Sequence, residues 1–188
     1  MGLYQDIDHV LISKESIHQK VKALGQRITR DYANESPLLI CILKGSVVFF
    51  ADLIRNIDLP LSIDFMTYTS YQGGAQPTHH IGLVQDLNRS IENRHVIIVE
   101  DIVDTGHTLN ELIRMLERRK PKSVVVAALL NKTARREAEV PVRYSCFDIP
   151  DEFVVGYGMD YGKEEWYRNL PDICVLKKEV YSNDESGD

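Results

Sequence analysis

The chain has 188 residues, a net charge of −6 and 44% hydrophobic residues, enough apolar content to fill one core with a small appendage. Its acidic balance argues against nucleic acid or an anionic membrane as the main partner, and no apolar run reaches the length of a membrane span. The opening MGLYQDIDHV lacks the basic and apolar segments of a secretion signal, and Cys41, Cys146 and Cys174 read as buried lone thiols, so a soluble cytoplasmic domain is expected.

In chain order, residues 14–33 predict a helix: Ile17, Val21, Leu24 and Ile28 share one face and Ser13 is placed to cap it. LLICIL (38–43) is wholly apolar, the mark of a strand covered on both faces. After KGS, the stretch SVVFFADLIRNI predicts a second helix, and LSIDFMTYT alternates as a half-buried strand does. SYQGGAQPTHH (70–80) breaks the periodicity as a loop, and IGLVQDL resumes a strand. HVIIVE (95–100) is another buried strand, followed by the helix TLNELIRMLERRKP, whose buried stripe is Leu109, Leu112, Ile113 and Leu116. Its last-turn cations complement the helix dipole and Pro121 stops it. SVVVAALL is a further buried strand, with short strands expected near 144–148, 153–156 and 173–178 and a frayed tail at 182–188.

Buried strands alternating with helices predict an α/β domain with a mainly parallel sheet and helices on both faces. A single domain over 1–188 is expected, with a core at about 34–148 and a small hood from about 1–13 and 149–180. In such sheets ligands sit beyond the carboxyl ends of the strands.

One stretch at such an end, VIIVEDIVDTGHTL (96–109), combines two opposed demands. Thr105, Gly106 and Thr108 lead into a helix whose first amides form an anion site. Glu100, Asp101 and Asp104 crowd against it, and carboxylates repel an anion. They can, however, accept hydrogen bonds from hydroxyls, hold a divalent metal or act as a general base. A sugar phosphate satisfies both demands, with its phosphate on the amides and its diol on the acids, and the motif therefore points to a ribose 5-phosphate. A lone DTG would read as a helix cap and solvated turn; the ordered run of strand, ED, DTG and helix-starting Thr favours a site.

The same stretch resembles the phosphoribosyl-diphosphate (PRPP) signature of the type I phosphoribosyltransferases. LKGS (43–46), SY (70–71), LLNK (129–132) and IPDEFVVGYGMDY (149–161), in that order, resemble the hypoxanthine–guanine branch of that family. The resemblance spans roughly residues 5–180 and implies transfer of a phosphoribosyl group from PRPP to a 6-oxopurine, hypoxanthine and guanine, giving IMP or GMP and pyrophosphate, with Mg2+ as cofactor and a homodimer or homotetramer as the assembly.

Roles follow from the resemblance position by position. It places Glu100 and Asp101 at the ribose hydroxyls and, with Asp160, at magnesium. Asp104, Thr105, Gly106, His107 and Thr108 would hold the 5-phosphate, and Asp104 would manage the proton on purine N7 as the catalytic base. Negative neighbours should raise the proton affinity of Asp104, which suits that work. Lys44, Gly45 and Arg168, with Ser70 and Tyr71 of a closing lid, would meet the pyrophosphate, and the Leu43–Lys44 bond is often cis in the family. Lys132 would contact the exocyclic oxygen, Phe153 would stack on the base, and Val154 and Asp160 would complete the purine site. His107, where the family pattern varies, reads physically as a solvent-facing turn residue. His79 and His80 are adjacent on an extended segment, point opposite ways, and do not read as a metal pair. Between Asp160 and Arg168 the run GKEEW is longer than the family pattern, and Trp166 is expected to pack within the extra turn.

Two other classes compete. An enzyme phosphorylated on its own Asp also places acids at a strand end, but leaves LKGS and FVVGYGMDY unexplained. An RNA-binding regulator on this fold would need a basic face, which the acidic balance opposes.

Overall fold

The structure, a computed structural model, describes residues 2–70 and 81–181. The expected lid residue Tyr71, the pair His79 and His80, and the tail at 182–188 lie outside the described residues. In chain order the elements are β1 (Ile7–Ile12), α1 (Lys14–Asp31), β2 (Leu38–Ile42), α2 (Val47–Ile54), β3 (Ser62–Ser70), β4 (Ile81–Gln85), β5 (His95–Val103), α3 (His107–Glu117), β6 (Ser123–Asn131), β7 (Val142–Asp148), β8 (Val154–Val155), β9 (Ile173–Leu176) and α4 (Lys178–Tyr181).

The main sheet has six strands in the order β4-β3-β2-β5-β6-β7. Every neighbouring pair is parallel except β3 with β4. Strand alternation divides its side chains cleanly. Leu39, Cys41, Ile97, Val99, Ala127 and Leu129 face α1 and α2, while Leu38, Ile40, Val96, Ile98, Val126 and Ala128 face α3. The helices supply the stripes read from sequence: Ile17, Val21, Leu24 and Ile28 from α1 on one face, and Leu109, Leu112, Ile113 and Leu116 from α3 on the other. Burying a side chain of this kind contributes about 1.5–3 kcal/mol, so these two layers, rather than surface ion pairs, hold the sheet. Ser13 caps α1 as expected, its hydroxyl accepting from Ser16 N at 3.3 Å.

The second, three-stranded sheet has the order β1-β9-β8 and is antiparallel throughout. It joins the N-terminal segment to residues after 149, as the hood was expected to do. Val154, Ile173 and Val175 turn into the core beside α1 and α2, whereas Ile7, Val155, Cys174 and Leu176 form a small cluster with Leu170 on the hood's other face. All three cysteines are free and buried.

Several boundaries differ from the sequence reading. β5 runs on through Asp101, Ile102 and Val103 instead of ending at Glu100. This extension has its own partner, because Ile102 and Val103 pair with Leu130 and Asn131 of β6. α3 closes at Glu117, before the RRK run, and Lys120 turns the chain at φ +55°. β1 and α4 carry too few periodic residues to be legible as elements. Trp166, expected to pack within the extra turn, is 54% exposed and meets the edge of the Tyr167 ring.

α1 is locked to the far edge of the sheet by Tyr144, whose buried hydroxyl donates to Asp31 Oδ2 at 2.7 Å, with Arg143 on the same oxygen at 3.1 Å. The Tyr144 hydroxyl, more than Arg143, holds the Asp31 carboxyl below its ordinary range. A depressed carboxylate contributes stability above the ordinary carboxylate range and loses it as pH falls. Tyr144→Phe should therefore lower the unfolding free energy at pH 7 by about 1 kcal/mol, and the gap to wild type should narrow toward pH 3. Urea titrations at the two pH values check this, and a gap independent of pH would refute the linkage.

Candidate active site

The sheet opens where β2 parts from β5. The two pair only as far as Cys41 with Val99, while β6 accompanies β5 to Val103. From Glu100 onward β5 therefore has a strand on one side only, and the loop Leu43–Ser46 passes through the space on the other. This is also where connections diverge, with α2 on one face and α3 on the other, the topological position that makes a ligand crevice.

Ser46, buried at the start of α2, ties that loop to β5. Its hydroxyl donates to Glu100 Oε2 at 3.1 Å and accepts from Asp101 N at 3.0 Å. Tyr68 of β3 donates to the other Glu100 oxygen at 3.0 Å. Burial first, and the neighbouring Asp101 second, push the Glu100 carboxyl well above its ordinary range. Asp101 is raised to about 6, mainly by burial, against lowering by the Ile102 amide and by Arg168.

Two-residue alternation sends these adjacent acids to opposite sides of the strand. Glu100 lines a cavity of about 180 Å³ with Tyr68, Asp104, Thr105, Gly106 and Thr108. Asp101 instead lies against Gly45, where a β-carbon would stand 1.6 Å from Asp101 Oδ2, so no other residue fits there without displacing the carboxylate. The Leu43–Lys44 peptide is cis. On its outer side this loop is covered by Gly158, φ +106°, whose missing β-carbon would meet the Gly45 carbonyl oxygen at 2.1 Å.

Opposite Glu100, the cavity ends on the N-terminus of α3. Gly106 takes φ +87° as its cap, and the first helical bond runs from Asn110 N to the Gly106 carbonyl at 2.8 Å. The amides that precede Asn110 have no intrahelical acceptor and face the crevice as donors. His107 stands apart from the expected group: its ring turns to Glu137, Nε2 to Oε2 2.8 Å, and lines a groove along α3 instead of the cavity.

Residues that the sequence reading passed over secure this anion site. The segment KTARRE after β6 wraps the loop after β5. Glu137 N and Ala138 N donate to the Thr105 carbonyl, each at 3.0 Å. Arg136 donates to the carbonyls of Asp104 and Val103 at 3.0 and 3.2 Å, and Arg135 Nε reaches Asp104 Oδ1 at 3.2 Å. Neighbouring parallel strands release their loops at one edge, so a basic run just past a buried strand was the available signal. Burial raises the proton affinity of Glu100 and Asp101, while Asp104, partly exposed, faces the Arg135 guanidinium.

The remaining candidates come from the hood side. Lys132, buried just past β6, meets Asp151 Oδ1 at 3.1 Å. Asp151 leads to Phe153, which is 43% exposed, its ring stacked on Tyr181 at 5.4 Å and edge-on to Tyr161 at 5.7 Å. Val154 is buried in β8, paired with Val175. Arg168 reaches Asp160 Oδ1 at 2.9 Å and the Gly158 carbonyl at 2.6 Å, so its guanidinium lies beside Asp160 across the GKEEW interval. Lys44 Nζ meets Glu165 Oε1 at 2.5 Å. Ser70 closes β3 at the edge of the described residues.

Among the described residues no cluster of three or more acids, histidines or cysteines forms a ready metal cage. A magnesium ion takes one or two carboxylates and completes its shell with water and substrate oxygens, a demand that Glu100 on one side of β5 or Asp101 on the other could meet. A dication would also offset the burial that raises both acids and the neighbouring Asp101 charge that adds to it at Glu100.

Comparison with known proteins places the chain among sequences and structures of one kind. Residues 13–162 match the sequence profile of the phosphoribosyl transferase domain. The hypoxanthine-guanine phosphoribosyltransferase of Streptococcus pneumoniae is 49% identical over 181 residues, covering 96% of this chain and 99% of that protein. Crystal structures show the same likeness. A hypoxanthine phosphoribosyltransferase from Staphylococcus aureus superposes with a TM-score of 0.91 at 47% identity, covering 96% of this chain and 97% of its own. That of Trypanosoma cruzi gives 0.91 at 36% identity over the whole of both chains.

A raised carboxyl favours the fold while it is protonated and loses that contribution as pH rises through its folded-state value. For Asp101 that window lies around pH 6. Asp101→Asn should thus melt a few degrees above wild type at pH 8, and the advantage should shrink at pH 5, where the wild-type carboxyl is already protonated. Added magnesium should raise the wild-type melting temperature more than that of the variant. Equal pH dependence of the two proteins would contradict the burial of this charge.

Proposed function

The chain belongs to the phosphoribosyl transferase family, and we propose that it transfers the 5-phosphoribosyl group of PRPP to hypoxanthine and guanine, giving IMP or GMP and pyrophosphate in purine salvage. The observation that carries this reading is the single cavity with Glu100 on one side and the α3 N-terminus on the other. A molecule with a phosphate at one end and vicinal hydroxyls a few bonds away answers both walls, as ribose 5-phosphate does.

In this reading the 5-phosphate rests on the amides of Gly106, His107 and Thr108 and the hydroxyls of Thr105 and Thr108, and the ribose diol on Glu100 and Asp101. Lys44, the Gly45 amide and Arg168 receive the diphosphate, with Ser70 and Tyr71 closing over it. Lys132 donates to the exocyclic oxygen of the base, which favours a 6-oxopurine over adenine, whose amino group is itself a donor. Phe153 offers the open face of a ring already backed by Tyr181, and Val154 and Asp160 border the same pocket. The C1′ bond to diphosphate breaks with its electron pair leaving on oxygen, purine N9 bonds to C1′, and Asp104 takes the proton from N7. The acids near the sugar stabilise positive charge developing on the ribosyl ring. Glu100, Asp101 and Asp160 would hold magnesium, which would supply charge neutralisation for the leaving group. The expected setting is the cytoplasm; among the described residues no helix is long and apolar enough to cross a membrane. A homodimer or homotetramer is proposed on the family resemblance.

Purified protein should release pyrophosphate from PRPP only with magnesium and hypoxanthine or guanine present, and not with adenine. Asp104→Asn should lower kcat by about 10²–10⁴-fold, the usual size of a general-base contribution, with a much smaller change in KM for PRPP. No turnover with any purine by folded protein at saturating magnesium would overturn the assignment.

A further inference from the structure

The run GKEEW (162–166) lies between Asp160 and Arg168. It folds as a tight turn: Tyr161 and Trp166 exchange backbone hydrogen bonds at 3.1 and 3.0 Å, Glu165 N donates to the Gly162 carbonyl at 3.1 Å, and Glu165 takes φ +56°. This geometry holds the Glu165 carboxylate between the two cations assigned to diphosphate. Oε1 meets Lys44 Nζ at 2.5 Å and Oε2 faces Arg168 Nε at 3.5 Å.

We propose that Glu165 is an affinity-setting residue for diphosphate, its carboxylate occupying the position between Lys44 and Arg168 that diphosphate oxygens take when substrate binds. The inference rests on the reading of Lys44 and Arg168 as diphosphate ligands. Three observations favour displacement of Glu165 over any other partner. The guanidinium of Arg168 is held tightly by Gly158 O at 2.6 Å and Asp160 at 2.9 Å, whereas its Nε toward Glu165 is buried without a hydrogen bond. Lys44 is 63% exposed and Glu165 39% exposed in their side chains, so their pair can part without uncovering a buried charge. The turn that carries Glu165 is a surface segment beside the loop Lys44–Gly45, free of the core layers.

The consequence is a built-in competitor. Diphosphate must replace a carboxylate on both cations, which weakens its binding in PRPP and speeds its departure as product. Meanwhile the empty site keeps Lys44 and Arg168 neutralised and correctly aimed. Exposed ion pairs are individually weak, so removal of the competitor should tighten diphosphate binding about three- to tenfold.

The test uses Trp166, the single tryptophan of the chain, which adjoins Glu165 and is exposed. Its emission should change as magnesium pyrophosphate is titrated into the full-length protein. Glu165→Gln and Glu165→Ala should both lower the pyrophosphate Kd and the KM for PRPP about three- to tenfold, and leave the KM for hypoxanthine unchanged. Unchanged or weaker pyrophosphate binding in both variants overturns the proposal, the weaker case making Glu165 a mere support for Lys44. Lys44→Ala and Arg168→Gln serve as controls that should weaken pyrophosphate. If neither does, the diphosphate reading itself fails and the competitor falls with it, an outcome distinct from failure of Glu165 alone.

Discussion

The structure depends on one asymmetry: β2 leaves β5 at Val99 while β6 stays with it to Val103. Four residues of β5 are thereby paired on one edge and open on the other. An unpaired strand edge in the middle of a sheet costs backbone hydrogen bonds unless something else reaches it. Here Ser46 does, its hydroxyl taking the Asp101 amide and giving its own proton to Glu100. A single buried side chain thus fixes the distance between the loop at Lys44 and the acids of β5. Every part of the proposed site is measured from that joint.

Two further layers hold the pieces at the opening. The hood brings Gly158 down onto the Gly45 carbonyl and Arg168 toward Asp101. From the other side the segment after β6 clamps the loop after β5 through the carbonyls of Val103, Asp104 and Thr105. Both clamps act mainly on backbone, although Arg135 also reaches the Asp104 carboxylate. This arrangement suits a site that must be rigid in position and still open to its substrates.

Legibility in the sequence followed the physics of each element. β2, β5, β6 and α3 repeat a strong pattern over enough residues to declare themselves, and the parallel sheet with helices on both faces follows from them. β8 and β9 were expected as short strands and form where expected, but β1 was not legible, and the pairing of all three across the length of the chain is encoded by no local pattern. The same split runs through the site. Glu100, Asp101, Thr105 and Gly106 could be grouped because they are contiguous. Arg135 and Arg136 could not be tied to Asp104 from spacing alone, since their meeting depends on β6 lying beside β5. Trp166, expected to pack within the GKEEW turn, meets the edge of Tyr167 there and stays largely exposed.

Acids crowded against an anion site looked contradictory only while the strand was read as a line. An extended strand places successive side chains on opposite faces, so Glu100 and Asp101, one residue apart, look into different compartments. Glu100 shares its cavity with the α3 N-terminus, where partial positive charge from the unpaired amides offsets its own. Asp101 shares its side with Arg168, whose charge lowers the proton affinity that burial raises. Neither acid is left to meet an anion alone. In the proposed assignment, phosphate and diphosphate, the two ends of PRPP, would be bound on opposite sides of one strand, with the sugar between them over the two carboxylates. The repulsion is real, and it falls where a reaction that builds positive charge on the sugar relieves it.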